Sequence, residues 1–230
     1  MKTIVLVSGK ARCGKNTFGN FIAKEFENRN LSVIQDAFAN GVKNGSKEDF
    51  KPLTNWLNEY VEQIKGQLGA LVSFNKNAPL DPYLKIESML NILKTKDENW
   101  FEDKTPITRF ILQAYGTEIF RKRVDTDWWS KQLKKRFIES DKDITIVTDV
   151  RFSNEIEVFN DCHICNYKIV TIRVERSIAQ NVSVASHDSE TALDNWTSWT
   201  YIIDNDSSLE DLKSAANTIA NDILSEEYPT

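Results

Sequence analysis

Short apolar runs alternate with amphipathic stretches along most of the chain. Runs rich in β-branched residues at 3–7, 31–39, 143–150, 167–175 and 200–204 predict five strands. The run "TIVLV" (3–7) is continuous and apolar, so we expect both faces of this strand to be buried, as in a parallel sheet. Strands that alternate with helices predict an α/β fold with right-handed crossovers.

The segments between these runs carry apolar residues at helical spacing. The pattern predicts a helix that starts near Lys15, one over 107–123, one over 127–140 and one over 151–160 with Ser153 as its cap. A last helix covers 207–224.

The last predicted helix has a cap and an apolar stripe of its own. Ser207 and Glu210 have the spacing of a capping box. The stripe predicted to be buried consists of Leu209, Leu212, Ala216, Ile219, Ile223 and Leu224.

The pattern changes between about residues 43 and 105, where Asn, Lys, Pro and Asp are frequent and apolar positions are sparse. We interpret 43–106 as a helical insertion with loops. The chain is then a single domain over 1–230, with a core formed by 1–42 and 107–230.

Composition narrows the class of protein. The 230 residues are 40 % hydrophobic and 27 % charged, which is typical of a soluble globular protein. A net charge of -5 argues against a nucleic-acid partner. No apolar run approaches the roughly 18 residues of a membrane span, and the start lacks a signal-peptide pattern. The three cysteines are scattered, which fits a reducing cytoplasm.

The segment "GKARCGKNT" (9–17) carries Gly9, Gly14 and Lys15 at the spacing G-x-x-x-x-G-K. A predicted strand precedes it and a predicted helix follows it, which is the context of a phosphate-binding loop. Backbone N–H groups and the helix dipole attract an anion there, and Lys15 and Arg12 supply cations. The sequence therefore predicts a nucleotide site.

Position 16 of this loop holds Asn, where Ser or Thr usually ligates magnesium. The Asn16 carbonyl could hold a metal-bound water, or Thr17 could take the ligand role. Alternatively, phosphates and waters hold most of the magnesium shell, since Mg²⁺ dehydrates reluctantly. The sequence leaves these options open.

The segment "TDVRFSNE" places Asp149 at the carboxyl end of a predicted strand, followed by Arg151 and Glu155. Ligands of open parallel sheets lie outside the carboxyl ends of the strands. We therefore expect Asp149 and Arg151 to face the same crevice as the loop. The simpler alternative is an Asp that starts a helix, beside a surface Arg.

The segment "TRFILQAYGTE" places Arg109, Gln113 and either Gly116 or Thr117 on one helical face. An Arg and an amide on one face can clamp a phosphate and read a base edge. A solvated face with a glycine needed for packing explains the pattern equally well.

In chain order, "GKARCGKNT", "FANGVK", "LQAYGTE", the Trp128–Trp129 pair, "TDVRFSNE", "HDSE" and "IIDNDSSLEDL" resemble the deoxynucleoside monophosphate kinases of tailed bacteriophages. The resemblance is weakest between about 45 and 100. It implies a three-layer P-loop fold with a five-stranded parallel sheet, an acceptor-binding helical insertion and a lid over 173–190. It also implies ATP-dependent phosphorylation of deoxynucleoside 5′-monophosphates, with Mg²⁺, in the host cytoplasm.

The resemblance assigns residues to three groups. The ATP side would consist of Arg12, Gly14, Lys15, Asn16 and Thr17, with Thr17 holding magnesium directly or through a water. The acceptor side would consist of Lys43, Arg109, Gln113, Gly116, Thr117, Trp129, Asp149, Arg151 and Glu155. The catalytic residues would be Lys15, Asp149, Arg151 and, from the lid, Arg176.

Two rival functions stay open. Phosphomevalonate kinases look similar at the loop and at the strand end "DVR", so another small-molecule kinase is one alternative. A nucleotide-dependent switch that contacts nucleic acid through the basic, Trp-containing segment 121–136 is the other. The sequence does not decide which bases are accepted, whether ribose is excluded, or whether the protein is a homodimer.

Overall fold

A computed structural model describes residues 1–48, 52, 55–56, 58–60, 112, 114–160, 167–177 and 191–225. The chain divides into two compact units, Met1–Ala39 with Ser130–Thr230, and Asn40–Trp129. Most of the predicted insertion (43–106) and the predicted lid from residue 178 onward lie outside the described residues, so both stay predictions. Within the described part of the chain, every helix is too short or too polar to cross a membrane.

The first unit is built on a five-stranded sheet with the order β2-β3-β1-β4-β5. All four strand pairings are parallel. The strands are β1 Lys2–Ser8, β2 Val33–Asp36, β3 Ile144–Val150, β4 Tyr167–Glu175 and β5 Tyr201–Asp204. The predicted α/β fold with a five-stranded parallel sheet is confirmed.

The described helices are α1 Lys15–Glu27, α2 Phe38–Glu48, a π-helix Ala114–Arg121, α3 Trp128–Glu139, α4 Ser153–Asn160 and α5 Leu209–Ser225. The strand predicted over 31–39 was too long, because β2 ends at Asp36 and α2 begins at Phe38. Sequence pattern could not separate them, since the Phe38 side chain is buried like a strand residue.

The core of this unit has two layers, one on each face of the sheet. Val5 and Val7 of β1 pack in a cluster that includes residues of α1 and α5. Ile4 and Leu6 of the same strand pack in a second cluster that includes Phe137 of α3 and residues of α4. Successive strand side chains point to opposite faces, so a strand between two helical layers needs apolar residues at every position.

Two details of the last helix differ from the prediction. Leu209 and Leu224 are 63 % and 40 % exposed, because they lie at the two ends of α5, and Ala220 is buried instead. The cap is formed one residue later than predicted.

Ser208 and Asp211, not Ser207 and Glu210, form the capping pair of α5. The Ser208 N–H and hydroxyl donate to Asp211 Oδ2 at 3.1 and 2.8 Å. The Asp211 N–H donates back to Ser208 Oγ at 3.2 Å. Two adjacent serines followed by Glu and Asp give two registers of the same motif, and the sequence alone does not choose between them.

Candidate functional site

Two chain segments leave the sheet side by side at its carboxyl edge. Ser8, the last residue of β1, is paired with Val150 of β3 and Arg173 of β4. The Ser8 hydroxyl donates to the Val150 carbonyl at 2.9 Å. The glycine-rich loop and the segment that begins at Arg151 therefore start from neighbouring strand ends of one sheet.

The glycine-rich loop needs both of its glycines. Gly9 and Gly14 have φ values of 155° and 97°, which side chains rarely adopt. A Cβ at Gly9 would clash with the Val174 carbonyl, and a Cβ at Gly14 would clash with the Asn205 amide. The loop is thus held close to the ends of β4 and β5, which only glycine permits.

The N-terminus of α1 carries no side-chain cap. Gly14 occupies the cap position without a side-chain hydrogen bond, and the first turn contains no acidic residue. Lys15 is half-buried, and its Nζ donates to the Lys10 carbonyl at 3.2 Å. Arg12 and Asn16 are exposed, and Thr17 is half-buried. The N–H groups at the start of a helix and the helix dipole attract an anion, and no acidic residue in the first turn of α1 opposes this.

The next junction, between β3 and α4, is capped by its own carboxylate. Glu155 is 2 % exposed, and its Oε2 accepts the N–H groups of Arg151 at 2.7 Å and Phe152 at 3.2 Å. These bonds fix the backbone at Arg151. The contact of Glu155 with an acceptor stays a prediction, whereas its bonds to the Arg151 segment are a feature of the fold.

Asp149 binds the start of a different helix. Its two carboxylate oxygens accept the N–H groups of Phe38 and Ala39, each at 3.0 Å. Burial raises the pKa of Asp149 above its usual value, although these two N–H groups and the charge of Arg151 act in the opposite direction. Asp149 therefore joins the end of β3 to the first turn of α2.

An ion-pair network that the sequence reasoning missed lies beside the loop. Arg173 is 7 % exposed, and its Nη2 lies 3.1 Å from Asp194 Oδ1. Lys10 of the loop lies 3.1 Å from Asp194 Oδ2. An arginine inside the apolar run 167–175 was the available signal, because a charged residue in a buried strand needs a partner.

A cavity of about 430 Å³ adjoins this network. Its lining includes Lys10, Arg173, Arg176 and Trp196. Arg176 Nε and Trp196 Nε1 are buried and have no hydrogen-bond partner within the described part of the chain. Buried donors without partners are rare in proteins, so a ligand with acceptor atoms suits this cavity.

The predicted acceptor residues of the second unit are only partly described. Arg109 and Gln113 lie outside the described residues. Trp129 is 4 % exposed, and its indole N–H donates to the Gly116 carbonyl at 2.8 Å. A Cβ at Gly116 would lie 3.2 Å from Val42, so close packing accounts for this glycine.

Lys43 and Thr117 are half-buried. Thr117 lies in the π-helix, whose bonds run from i to i+5. The spacing of an ordinary helix does not apply within Ala114–Arg121, and the predicted shared face with 109 and 113 lies partly outside the described residues. Acceptor binding by these residues stays a prediction.

A Gly-x₄-Gly-Lys loop between the central strand of a parallel sheet and an uncapped helix defines the P-loop class of nucleotide-binding proteins. The chain matches the family described as deoxynucleotide monophosphate kinase over residues 52–216, which is more than half of its length, and it belongs to that family. The protein is accordingly a phosphotransferase. No curated protein matches the chain. Because the matched segment begins after the loop, the loop is an independent sign of the same class.

Proposed function

We propose that the protein transfers the γ-phosphoryl group of ATP to deoxynucleoside 5′-monophosphates and forms the diphosphates. The observation that carries this proposal is the pairing of Ser8 with Val150, from which the glycine-rich loop and the Arg151 segment leave neighbouring strands at one edge of the sheet. A phosphate donor in the loop and an acceptor next to Arg151 then lie end to end. In a bacteriophage-infected cell, this reaction in the host cytoplasm would supply deoxynucleotides.

The transfer needs positioning and charge neutralisation more than covalent chemistry. Gly14 and the N–H groups at the start of α1 bind the donor phosphates, and Arg12 and Lys15 supply positive charge. Arg151 binds the transferring group from the neighbouring strand end. Arg176 would share this role. It lines the cavity beside the loop, and its Nε is a buried donor without a hydrogen-bond partner within the described part of the chain.

The residues near the loop fit a magnesium ion that is held mainly by phosphates. Asn16 and Thr17 offer neutral oxygen atoms, and Mg²⁺ prefers oxygen ligands while keeping several waters. Thr17 would hold the ion, directly or through a water, with Asn16 beside it. The ion would supply charge neutralisation between the outer phosphates. Asp149 would orient its waters or the acceptor while it anchors α2.

The acceptor is proposed to bind through Arg109, Gln113 and Lys43, with Thr117, Gly116 and Trp129 near its base or sugar. Arg151 and Glu155 complete this side. The lid over 173–190 would close over the phosphates, because open water competes as an acceptor and converts a kinase into an ATPase.

A panel of acceptors tests the proposal. The protein is mixed with ATP, Mg²⁺ and one of dAMP, dCMP, dGMP, dTMP, their ribose counterparts or phosphomevalonate, and ADP formation is followed by a coupled assay. We expect at least one deoxynucleotide to raise ADP formation far above ATP hydrolysis alone. Turnover of phosphomevalonate only, or ATP hydrolysis stimulated by DNA or RNA only, would contradict the proposal.

A further inference from the structure

The connection between β5 and α5 contacts the phosphate-binding loop through one side chain. Asn205 is 9 % exposed, and its Nδ2 donates to the Cys13 carbonyl at 2.8 Å. Its backbone N–H donates to the Glu175 carbonyl at 2.8 Å. The backbone of Asn205 is therefore held by the end of β4, and its side-chain amide is bonded to the loop.

This hydrogen bond determines which way the Cys13–Gly14 peptide points. In a trans peptide the C=O and the following N–H lie in one plane and point in opposite directions. Asn205 is on the side of the loop that faces α5, since the Cβ direction of Gly14 points at Asn205 and Leu212. With the Cys13 carbonyl turned toward Asn205, the Gly14 N–H points away from Asn205.

The orientation matters because carbonyl and N–H groups have opposite effects on an anion. A phosphate is bound by N–H groups at the start of a helix, and a carbonyl oxygen turned toward it would repel it. The Gly14 conformation, with φ of 97°, leaves no room for a Cβ beside the Asn205 amide. The hydrogen bond from Asn205 to the Cys13 carbonyl is therefore compatible only with a residue at position 14 that has no Cβ.

We infer that Asn205 is a positioning residue for the phosphate-binding loop, which holds the Gly14 N–H toward the donor phosphates. The inference rests on the proposed function in one respect, namely that nucleotide phosphates bind in this loop. It does not depend on the acceptor.

The test compares Asn205→Asp and Asn205→Ser with the wild-type protein. Asp has the shape of Asn but only acceptor oxygens, so it repels the Cys13 carbonyl, whereas Ser keeps a donor on a shorter side chain. In calorimetric titrations, we expect Asn205→Asp to lower the affinity for ATP and for inorganic tripolyphosphate about tenfold or more. Asn205→Ser should lower both affinities less. The KM for ATP should rise, while the KM for the acceptor stays unchanged.

Ser208→Ala is the matched control, because it weakens the start of α5 in the same connection without touching the loop. It should bind ATP like the wild type. A second measurement is the ¹⁵N–¹H resonance of Gly14, which should shift on addition of tripolyphosphate in the wild type and shift less in Asn205→Asp.

The outcomes separate the two proposals. Wild-type ATP affinity in a folded Asn205→Asp protein, or equal loss of ATP and acceptor affinity, would overturn the role of Asn205. Tight ATP binding by the wild type without phosphorylation of any deoxynucleotide would overturn the proposed function and leave Asn205 to be judged by the titrations.

Discussion

The β1–α1 and β3–α4 junctions begin at paired residues, Ser8 and Val150, and each leads from a central strand into a helix. The two junctions differ in whether a carboxylate of the chain accepts backbone N–H groups near the start of the helix. In the second, the buried Glu155 accepts the N–H groups of Arg151 and Phe152. In the first, Gly14 offers no side-chain cap and no acidic residue follows in the first turn.

The difference is that a carboxylate of the chain itself binds backbone N–H groups at the β3–α4 junction, whereas the first turn of α1 contains no carboxylate. Glu155 supplies its own anion, so the backbone around Arg151 is fixed before any substrate arrives. At the loop, the first turn of α1 has no acidic residue, and in the proposed function a donor phosphate supplies the negative charge. In the proposed function, phosphoryl transfer would use the cation of Arg151 on this fixed backbone together with an anion site in the loop.

The largest effect is expected from removal of the positive charge of Lys15 in the loop. Lys15→Ala should lower kcat/KM for phosphoryl transfer about 10²–10³-fold, since one preorganised charge near the transferring group is lost. Steady-state kinetics with the best acceptor measures the effect. Lys24→Ala, in the last turn of the same helix, is the control and should retain activity. A Lys15→Ala protein with near-normal turnover would contradict the assignment of the loop.

The next largest effect is expected when a carboxylate is placed in α1 at the position that Glu155 occupies in α4. Glu155 is the third residue of α4, and Thr17 is the third residue of α1. Thr17→Glu should weaken the binding of ATP about a hundredfold. It should also raise the free energy of unfolding by about 0.5 kcal/mol, because a negative charge near a helix N-terminus interacts favourably with the helix dipole. Titration calorimetry and denaturant unfolding measure the two quantities.

Thr17→Gln separates charge from the loss of the hydroxyl group. It should weaken ATP less than Thr17→Glu does and should not stabilise the fold. Equal ATP affinity of the two variants would show that the charge of the helix N-terminus has no part in binding.

The sheet and the loop could be predicted because their signals are local. Runs of consecutive apolar residues gave β1, β3, β4 and β5, and the spacing of Gly9, Gly14 and Lys15 gave the loop. The end of β2 was wrong because burial of Phe38 looks the same in a strand and in a helix. The contact that starts α2 comes from Asp149, more than a hundred residues away.

The roles of single polar residues were harder to predict, because they depend on partners that are distant in the chain. The contact of Glu155 with an acceptor stays a prediction, and its bonds to the Arg151 and Phe152 N–H groups were not predicted. Asn205 and Arg173 were not singled out at all, although each supports the loop or its surroundings. Gly116 had a packing explanation from the start, and its contact with Val42 agrees with that alternative.

A smaller effect, of about tenfold in kcat, is expected from Glu155→Ala. The Arg151 and Phe152 N–H groups lose their acceptor, which leaves Arg151 less well placed and costs about 1–3 kcal/mol of stability. Glu155→Gln keeps a carbonyl acceptor and should retain more of the activity. Glu157→Gln, an exposed change on the same helix, is the control. Loss of stability with an unchanged kcat would give Glu155 a purely structural role.

The smallest effect is expected at the N-terminus of α5, where Ser208 and Asp211 cap the helix through hydrogen bonds to each other. Ser208→Ala should cost about 1 kcal/mol of unfolding free energy without changing ATP affinity. Hydrogen bonds from Ser208 lower the pKa of Asp211 below 3.8. The native state therefore binds this proton less tightly than the unfolded state, so the stabilisation is present above about pH 4 and is lost as the pH falls through the folded pKa. The difference in unfolding free energy between wild type and Ser208→Ala should thus shrink below pH 4, which chemical denaturation at several pH values measures. A difference that stays constant with pH would mean that the carboxylate contributes nothing to the cap, and the contrast between capped and open helix starts would lose its electrostatic basis.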